Sequence, residues 1–206
     1  LDQLLDGICV SAVSLAFSGK GMGDVAELVI AKLEKEGTAA EADVAFAIDP
    51  LVKGLSTKGD FCSPNGEKCF ARIAALVRKT AAYKHIRIVT VSADIFSNAG
   101  STIVEELAFA LSAGNDYIAR LTDAGLTVDE AARKLRFSFS VTSNYFMEIA
   151  KFRAARMLWA NIVKAYNPEK HCAGKMMIHA ATSKWNQTVY DPYVNMLRGT
   201  TEAMSA

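Results

Sequence analysis

The chain of 206 residues carries 23 lysine and arginine residues against 22 aspartate and glutamate residues, which gives a formal net charge of +1. Hydrophobic residues make up 51% and charged residues 22%, so the chain can bury a core, which excludes intrinsic disorder. The near-neutral charge, with no basic stripe, excludes a typical nucleic-acid partner, and no apolar run reaches the roughly 18 residues that a membrane span needs.

Short apolar runs alternate with longer helical patterns along the chain. In chain order, the predicted strands are Ile8–Ser14, Val44–Ile48, Ile86–Ser92, Leu135–Val141 and Lys175–Ala180. The predicted helices are Met22–Glu36, Glu67–Tyr83, Ser101–Asp123 and Asn144–Tyr166, with a last one that starts near Asp191. A capping box of Thr127 and Glu130 begins a further short helix before the fourth strand. This alternation predicts parallel strands joined by right-handed crossovers.

The two ends of the chain lack the usual boundary signals. No signal-peptide pattern follows Leu1, so we expect a cytoplasmic protein. The chain ends at Thr200–Ala206 within an apparently helical run, without a glycine cap or a proline stop. We therefore expect a piece of a longer polypeptide.

Two closures of the parallel sheet are compatible with this pattern: an open doubly wound sheet, or part of a (β/α)8 barrel. A glycine-rich dinucleotide fingerprint after the first strand would favour the open sheet. The stretch Gly19–Gly23 contains three glycines but lacks the spacing of that fingerprint. We interpret it as a flexible loop between a strand and a helix.

Small polar side chains alternate with larger ones in several predicted strands. In the fourth strand, Ser138 and Ser140 lie on one face and the phenylalanines on the other. Thr90 and Ser92 end the third strand in a similar way, and Thr182 continues the fifth. If these small side chains face the axis of a barrel, they leave a narrow polar channel for a thin ligand. If the phenylalanines face the axis instead, the serines lie against solvent or helices.

Four cysteines in a chain of this size do not indicate a disulfide framework. Cys62, Cys69, His171 and Cys172 are conceivable metal ligands. The six residues between the first two cysteines are not a zinc-knuckle spacing, so we expect no metal site.

Several motifs after Ile86 are similar to those of one enzyme family. The first group consists of Asn98-Ala99-Gly100, Glu105–Ala108, Ala124–Thr127 and the long run Asn144–Trp159. The second group consists of His179–Trp185, Asp191-Pro192-Tyr193, Asn195 and Arg198. Together they resemble the barrel domain of the methylmalonyl-CoA mutase family over nearly the whole chain, more weakly before Ile86.

The resemblance implies a (β/α)8 barrel through which the pantetheine arm of coenzyme A threads. The expected fold class is therefore α/β, a partial (β/α)8 barrel of about five βα units with parallel strands, and residues 1–206 are expected to form a fragment of one barrel domain. The family interconverts methylmalonyl-CoA and succinyl-CoA, with adenosylcobalamin as the source of the radical. The family's cobalamin domain and its Asp-x-His-x-x-Gly motif are absent from this sequence. We expect no cofactor to be bound to this piece.

The resemblance also locates the family's electrophile. In the catalytic subunit, the third strand runs into Ser-Gly-Tyr-His-x-x-Glu-Ala-Gly, and the histidine donates a hydrogen bond to the thioester carbonyl of the substrate. The matching stretch here is Ser92–Gly100, which puts Ile95 at the histidine position. Isoleucine has no hydrogen-bond donor in its side chain.

The family's anion-fixing groups also differ in this sequence. When Asp49 is aligned with the family aspartate of the preceding strand, the threonine, glutamine and arginine positions are occupied by Ala45, Ala47 and Thr57. A later Arg-Leu-Ser substrate clamp corresponds to Lys134-Leu135-Arg136. Lysine loses the fork geometry of arginine, and Arg136 adds bulk where coenzyme A would pass.

These changes are typical of the small subunit of the family, a homologue that pairs with a large catalytic mutase subunit. We therefore expect a non-catalytic barrel in a heterodimer, without nucleic-acid or membrane partners. The catalytic set is expected to be empty, and weak substrate-binding candidates are His179, Thr182 and Ser183. An active acyl-CoA mutase with an altered substrate is the alternative.

Two further expectations concern a rival enzyme function and the association state of the chain. An unrelated barrel enzyme that uses Asp94 or His179 would need these two side chains within hydrogen-bond distance. The uncovered sheet edges and helix faces of an isolated piece should also favour self-association.

Overall fold

Strands and helices alternate in the computed structural model, which describes residues 1–52 and 64–206. The strands are β1 (Ser14–Phe17), β2 (Asp43–Ile48), β3 (Ile86–Ser92), β4 (Leu135–Val141) and β5 (Ile178–Thr182). The helices are α1 (Asp2–Leu5), α2 (Met22–Glu36), α3 (Pro64–Lys79), α4 (Asp94–Asn98), α5 (Ile103–Asp123), α6 (Val128–Arg133), α7 (Tyr145–Ala165) and α8 (Pro192–Ala203), with a 3₁₀ turn at His171–Gly174.

The predicted bounds of α2, β3 and β4 agree with the structure residue for residue. The capping box at Thr127 and Glu130 is confirmed at the start of α6, and Thr102 and Glu105 form a second one at the start of α5. These side chains satisfy amide groups that have no partner within the first turn of a helix. The start of α6 is therefore correctly indicated by a local signal.

The first strand, the last strand and α3 differ from the prediction. The predicted strand Ile8–Ser14 is wrong, because the Ala12 amide donates to the Cys9 carbonyl and closes a turn before β1 begins. The predicted strand Lys175–Ala180 is shifted, because the 3₁₀ turn precedes it and β5 continues to Thr182. Helix α3 ends four residues before the predicted Tyr83. In each case, hydrogen bonds with neighbouring residues override the apolar pattern.

The five strands form one parallel sheet in the order β1-β2-β3-β4-β5, curled into a half-barrel. Each strand pairs with the next in the chain, as in a barrel, whereas a doubly wound sheet reverses its strand order at a switch point. The expected partial (β/α)8 barrel is confirmed.

Aromatic packing decides which strand face is turned toward the helices. The Phe137 ring packs edge-on against Trp159 of α7, with 4.7 Å between ring centroids, and Phe139 packs in the same way against Phe152. Side chains alternate along a strand, so Ser138 and Ser140 lie on the opposite face, the concave side of the half-barrel. The phenylalanines thus belong to the core, and the small polar side chains face the barrel axis.

The core lies between the sheet and the helix layer. Its largest fully buried side chains include Trp159, Tyr117, Phe46, Phe137 and Phe139. In the described ranges, no helix is both long enough and apolar enough to cross a membrane.

Candidate functional site

The concave face of the sheet is the surface that a ligand in the barrel axis would meet. Residues that are paired between neighbouring strands project to the same side of a sheet. Thr90 pairs with Arg136, and Ser138 pairs with both Ser92 and His179. These five side chains therefore share the concave face, in a row across β3, β4 and β5.

Two arginines occupy the amino-terminal end of this face. Arg87 and Arg136 are the second residues of β3 and β4, and Asp43 of β2 lies near both. The Ile88 and Val89 amides both donate to the Lys134 carbonyl, and this bulge in β3 brings Arg87 to the same face as Thr90. Burial lowers the pKa of each guanidinium, and the Asp43 carboxylate partly opposes that effect. Asp43 also accepts a hydrogen bond from the Ser14 hydroxyl. Charged groups of β2, β3 and β4 therefore lie at the amino-terminal end of the concave face.

Only one of the three sequence-predicted candidates lies on the concave face. His179 is on that face and is exposed, and its pKa is lowered, chiefly by partial burial and then by the charge of Arg136. Asp94 acts on the pKa of His179 in the opposite direction. No hydrogen bond joins Asp94 to His179 in the part of the chain that the structure describes. The pair that an unrelated barrel enzyme would need is therefore not formed.

Thr182 and Ser183 point elsewhere. Thr182 pairs with Val141 and so projects to the helix side, where its methyl group lies near Gly199 of α8. Ser183 is fully buried, and its hydroxyl accepts a hydrogen bond from the Trp185 amide over 3.1 Å. Their assignment as substrate-binding residues stays a prediction.

Two motifs that are distant in the sequence meet at the carboxyl end of the sheet. Asn98 Oδ1 accepts a hydrogen bond from the Lys184 amide over 2.8 Å, which joins the end of α4 to the segment after β5. The Trp185 ring covers Gly100, where a Cβ atom would lie 3.2 Å from the ring. Gly100 also has φ +99°, a conformation that favours glycine. The Asn98-Ala99-Gly100 and Ser183–Trp185 motifs together hold the rim of the half-barrel.

Ile95 lies in α4, directly after the third strand. Its side chain is partly buried and packs against the hydrophobic core. An aliphatic side chain at this place offers neither a hydrogen-bond donor nor a charge to a thioester carbonyl. The Ser140 hydroxyl lies 3.5 Å from the Asp94 carbonyl oxygen, to which it can donate.

The carboxylate of Asp49 is hydrogen-bonded within the protein itself. Its carboxylate is 4% exposed and accepts hydrogen bonds from the amides of Val52 and Ser92 and from the Tyr117 hydroxyl, over 2.7–3.0 Å. Burial raises the pKa of Asp49, and these hydrogen bonds oppose the increase. Asp49 thus ties the ends of β2 and β3 to α5. Of the other aligned positions, Ala45 pairs with Arg87, and Thr57 lies outside the described residues.

Lys134 points away from the barrel axis. Its ammonium group is buried and donates to the backbone carbonyls of Thr80, Tyr83 and Ile86 over 2.6–3.2 Å. These carbonyls follow α3, at the amino-terminal edge of the sheet. Burial, together with the guanidinium groups of Arg87 and Arg133, lowers the pKa of Lys134 to about 7. Lys134 therefore closes the loop between α3 and β3 and is not placed to clamp a substrate.

The lowered pKa of Lys134 predicts a pH-dependent stability. Between pH 7 and the lysine's unperturbed pKa of about 10.4, the folded chain binds fewer protons than the unfolded chain, so the free energy of unfolding should rise with pH. The rise is limited to about 1.4 kcal/mol per pH unit. Lys134→Met should abolish it, while Lys84→Met should retain it. Urea unfolding at pH 7 and pH 9 tests this, and an equal rise in Lys134→Met and the parent would contradict it.

A buried ionic cluster behind β4 was not predicted from the sequence. The Lys151 ammonium lies 2.8 Å from Glu106 Oε2 and 2.6 Å from Glu148 Oε2, and all three side chains are at most 1% exposed. Glu106 Oε1 accepts from the Ser140 amide, and Glu148 Oε1 accepts from the Thr142 amide. The cluster fixes the carboxyl end of β4 against α5 and α7. The available signal was the occurrence of Glu148 and Lys151, one turn apart, within an otherwise apolar run.

The conceivable metal ligands are not brought together. Cys62 lies outside the described residues, Cys69 is half-buried on α3, and His171 and Cys172 are exposed in the 3₁₀ turn. Within residues 1–52 and 64–206, no three His, Cys, Asp or Glu side chains form a group that could hold a metal ion.

The segment after β5 folds on itself before α8. Asp191 caps α8 by accepting from the Val194 amide, and Pro192 follows as the first helical residue. Asn195 accepts from the Thr188 amide and donates to the Thr188 carbonyl. This part of the second motif group is therefore structural.

Comparison with known proteins identifies the family of this half-barrel. The family model described as Methylmalonyl-CoA mutase matches residues 1–206. The chain belongs to the methylmalonyl-CoA mutase family. It is 44% identical over 157 residues to the methylmalonyl-CoA mutase small subunit of Porphyromonas gingivalis, covering 76% of this chain and 24% of that protein. It is 35% identical to the small subunit of Streptomyces virginiae, covering 100% of this chain and 33% of that protein.

Mutase family members with other names are also similar. The methylmalonyl-CoA mutase of Rhizobium meliloti is 32% identical over 206 residues, covering 98% of this chain and 29% of that protein. The chain thus spans between 24% and 33% of the length of these three relatives. Both small-subunit relatives and other mutases are similar to this chain. The residues at the site are therefore needed to distinguish a small subunit from a catalytic one.

The mutase family implies adenosylcobalamin, and the side chains of residues 1–52 and 64–206 do not fit a site for it. The sequence lacks the Asp-x-His-x-x-Gly motif. Of its three histidines, His85 precedes β3 and His171 precedes β5, both at the amino-terminal edge of the sheet, and only His179 lies on the concave face. We therefore assign no cofactor-binding role to the described residues of this chain.

Proposed function

We propose that this chain is the barrel segment of a methylmalonyl-CoA mutase small subunit, which is itself non-catalytic and supports the large catalytic subunit of a cytoplasmic heterodimer. In this proposal, adenosylcobalamin serves the whole enzyme and is held outside residues 1–206. These residues are one fragment of the coenzyme A barrel domain. The substrate pair of the whole enzyme is methylmalonyl-CoA and succinyl-CoA.

The observation that carries the proposal is the side chain at position 95. Rearrangement of an acyl-CoA ester develops charge on the thioester carbonyl, and a donor aimed at that oxygen stabilises the charge. Removing one such donor typically lowers kcat by a factor of about 100–1,000. Ile95 packs into the core and has no donor. A chain with this residue is poorly suited to catalyse the reaction itself.

The anion-fixing positions support the same conclusion. Asp49 accepts hydrogen bonds from two backbone amides and a tyrosine hydroxyl, and Lys134 donates hydrogen bonds to three backbone carbonyls. Both polar groups are occupied by internal partners, so they are not available to a carboxylate or a phosphate of the substrate. The two relatives with small-subunit names, at 44% and 35% identity, are in line with this interpretation.

The first test compares the full-length subunit that contains this chain with its complex with a large subunit. With adenosylcobalamin added, we expect conversion of methylmalonyl-CoA to succinyl-CoA by the complex and none by the small subunit alone. The large subunit alone is the control. Turnover by the small subunit alone would overturn the proposal and favour the alternative of an active acyl-CoA mutase with an altered substrate.

Assembly and ligand binding provide a second readout in the same samples. The two full-length subunits should co-purify, and calorimetric titration of the small subunit with succinyl-CoA should give no saturable heat at micromolar concentration. Micromolar binding of a coenzyme A ester by the small subunit would contradict the proposed role. Failure of the two purified full-length subunits to associate when they are mixed would count against the heterodimer.

A further inference from the structure

The concave face is divided into two halves of different character. Toward the carboxyl end of β3, β4 and β5 it carries small side chains, namely Ser92, Ser140 and Ala181. Toward the amino end it carries the long side chains of Arg87 and Arg136. A thin chain that enters the barrel axis from the carboxyl end therefore passes Ser140 and Ser138 and meets Arg136 at the amino-terminal end of β4.

We propose that Arg136 is the residue that closes the barrel axis of this protein to the pantetheine arm of coenzyme A, and that a short side chain at this position opens it. The inference rests on the proposed non-catalytic function and deepens it, because it names the side chain that denies the substrate class its path. It concerns a steric block and adds no chemical step.

The Arg136 side chain is held in place across three strands. Its Nε donates to Thr90 Oγ1 over 3.3 Å, and the same hydroxyl donates to the Phe46 carbonyl over 2.9 Å. The Asp43 carboxylate lies close enough to favour the charged guanidinium. A side chain with an ordered partner on β3 and an opposite charge on β2 lies along the concave face and does not swing freely into solvent.

The other two cations at this end are held away from the axis. Arg87 donates through Nη1 to the Lys84 carbonyl, in the loop before β3. Lys134 donates to three carbonyls at the amino-terminal edge. Of these three cations, Arg136 is therefore the one with a hydrogen-bond partner on the concave face itself. Its neighbours Thr90 and Ser138 are small, so shortening Arg136 would join the two halves of the face into one polar track.

The experiment titrates the full-length small subunit with coenzyme A and, separately, with adenosine 3′,5′-bisphosphate, which lacks the pantetheine arm. The parent protein should show no saturable binding of coenzyme A. R136S should bind coenzyme A with a gain in affinity of at least about tenfold, equivalent to about 1.4 kcal/mol. The affinity for adenosine 3′,5′-bisphosphate should be equal in the parent and R136S.

Three further variants distinguish the effect of the length of Arg136 from the effect of its charge and from unfolding of the protein. R136A should reproduce the gain, whereas R136M, which keeps most of the length without the charge, should stay closed. R153S removes an exposed arginine from α7 and should bind no coenzyme A. Thermal unfolding establishes that each variant is folded.

Two results would overturn the inference. One is that folded R136S and R136A bind no better than the parent, and the other is that R136M gains as much as R136S. Failure of the proposed function would look different, because the parent subunit itself would then bind coenzyme A or turn over substrate.

Discussion

Replacing Lys151 with methionine is expected to lower the free energy of unfolding by about 3–5 kcal/mol. The ammonium is fully buried between Glu106 and Glu148, and it also donates to the Ser140 carbonyl. Methionine fills much of the same volume but leaves two buried carboxylates without a counter-charge. Removing one partner of a buried ion cluster is costly because the desolvated charges that remain have lost their compensation.

The loss of stability in Lys151→Met should become smaller as the pH falls. Burial already raises the pKa of Glu106, and Lys151 opposes the increase. Without Lys151, Glu106 should take up a proton more readily, so the destabilisation by Lys151→Met should shrink as the pH falls toward 5. Urea unfolding of the full-length polypeptide measures the total effect, and hydrogen exchange of the α7 amides reads it locally.

Lys164→Met is the matched control for the ion cluster. Lys164 is exposed near the end of the same helix, so its replacement should change the stability by no more than about 0.5 kcal/mol. Equal effects of Lys164→Met and Lys151→Met would show that the cluster contributes nothing specific to the stability of this part of the protein.

Trp159→Ala should lower the free energy of unfolding by about 3–5 kcal/mol, because it removes the largest fully buried side chain of the core. The indole packs edge-on against Phe137 and lies over Gly114, where an added Cβ atom would come within 2.8 Å of the ring. The helices α5 and α7 therefore approach each other closely at this point. A cavity here cannot collapse easily, because the sheet holds Phe137 in place.

The second tryptophan of the chain provides the control. Trp185 is 68% exposed, so Trp185→Ala should cost about 1 kcal/mol or less. Both variants lose the same atoms, and the difference between them measures burial. Urea unfolding of the two variants of the full-length polypeptide makes the comparison, and a similar loss in both would contradict the assigned core.

The sequence predicted the helices and central strands well for a local reason. β3 is rich in β-branched residues, large and small side chains alternate in β4, and the capping box at Thr127 is complete within four residues. β1 was misplaced because Ile8–Val13 is apolar enough for a strand but is used in turns. An apolar pattern indicates burial more directly than it indicates backbone conformation.

The candidate site was predictable only in part. The absence of a donor at position 95 follows from the identity of Ile95. The directions of Lys134 and Thr182 do not follow from the sequence, because each is set by a partner in another element. The ion cluster was missed for the same reason: Glu106 and Lys151 are separated by 45 residues, and a charged residue by itself is normally assigned to solvent.

The sequence by itself therefore determined the family, the parallel βα architecture and the chemical groups that the site lacks, since these depend on residue identity and on local patterns. Only the tertiary structure decided which polar groups remain available to a ligand. It placed Asp49 and Lys134 on backbone partners and left Arg136 on the concave face. The physical reason is that a side chain's donors and acceptors are fixed by its identity, whereas its partners come from strands and helices that only the fold brings together.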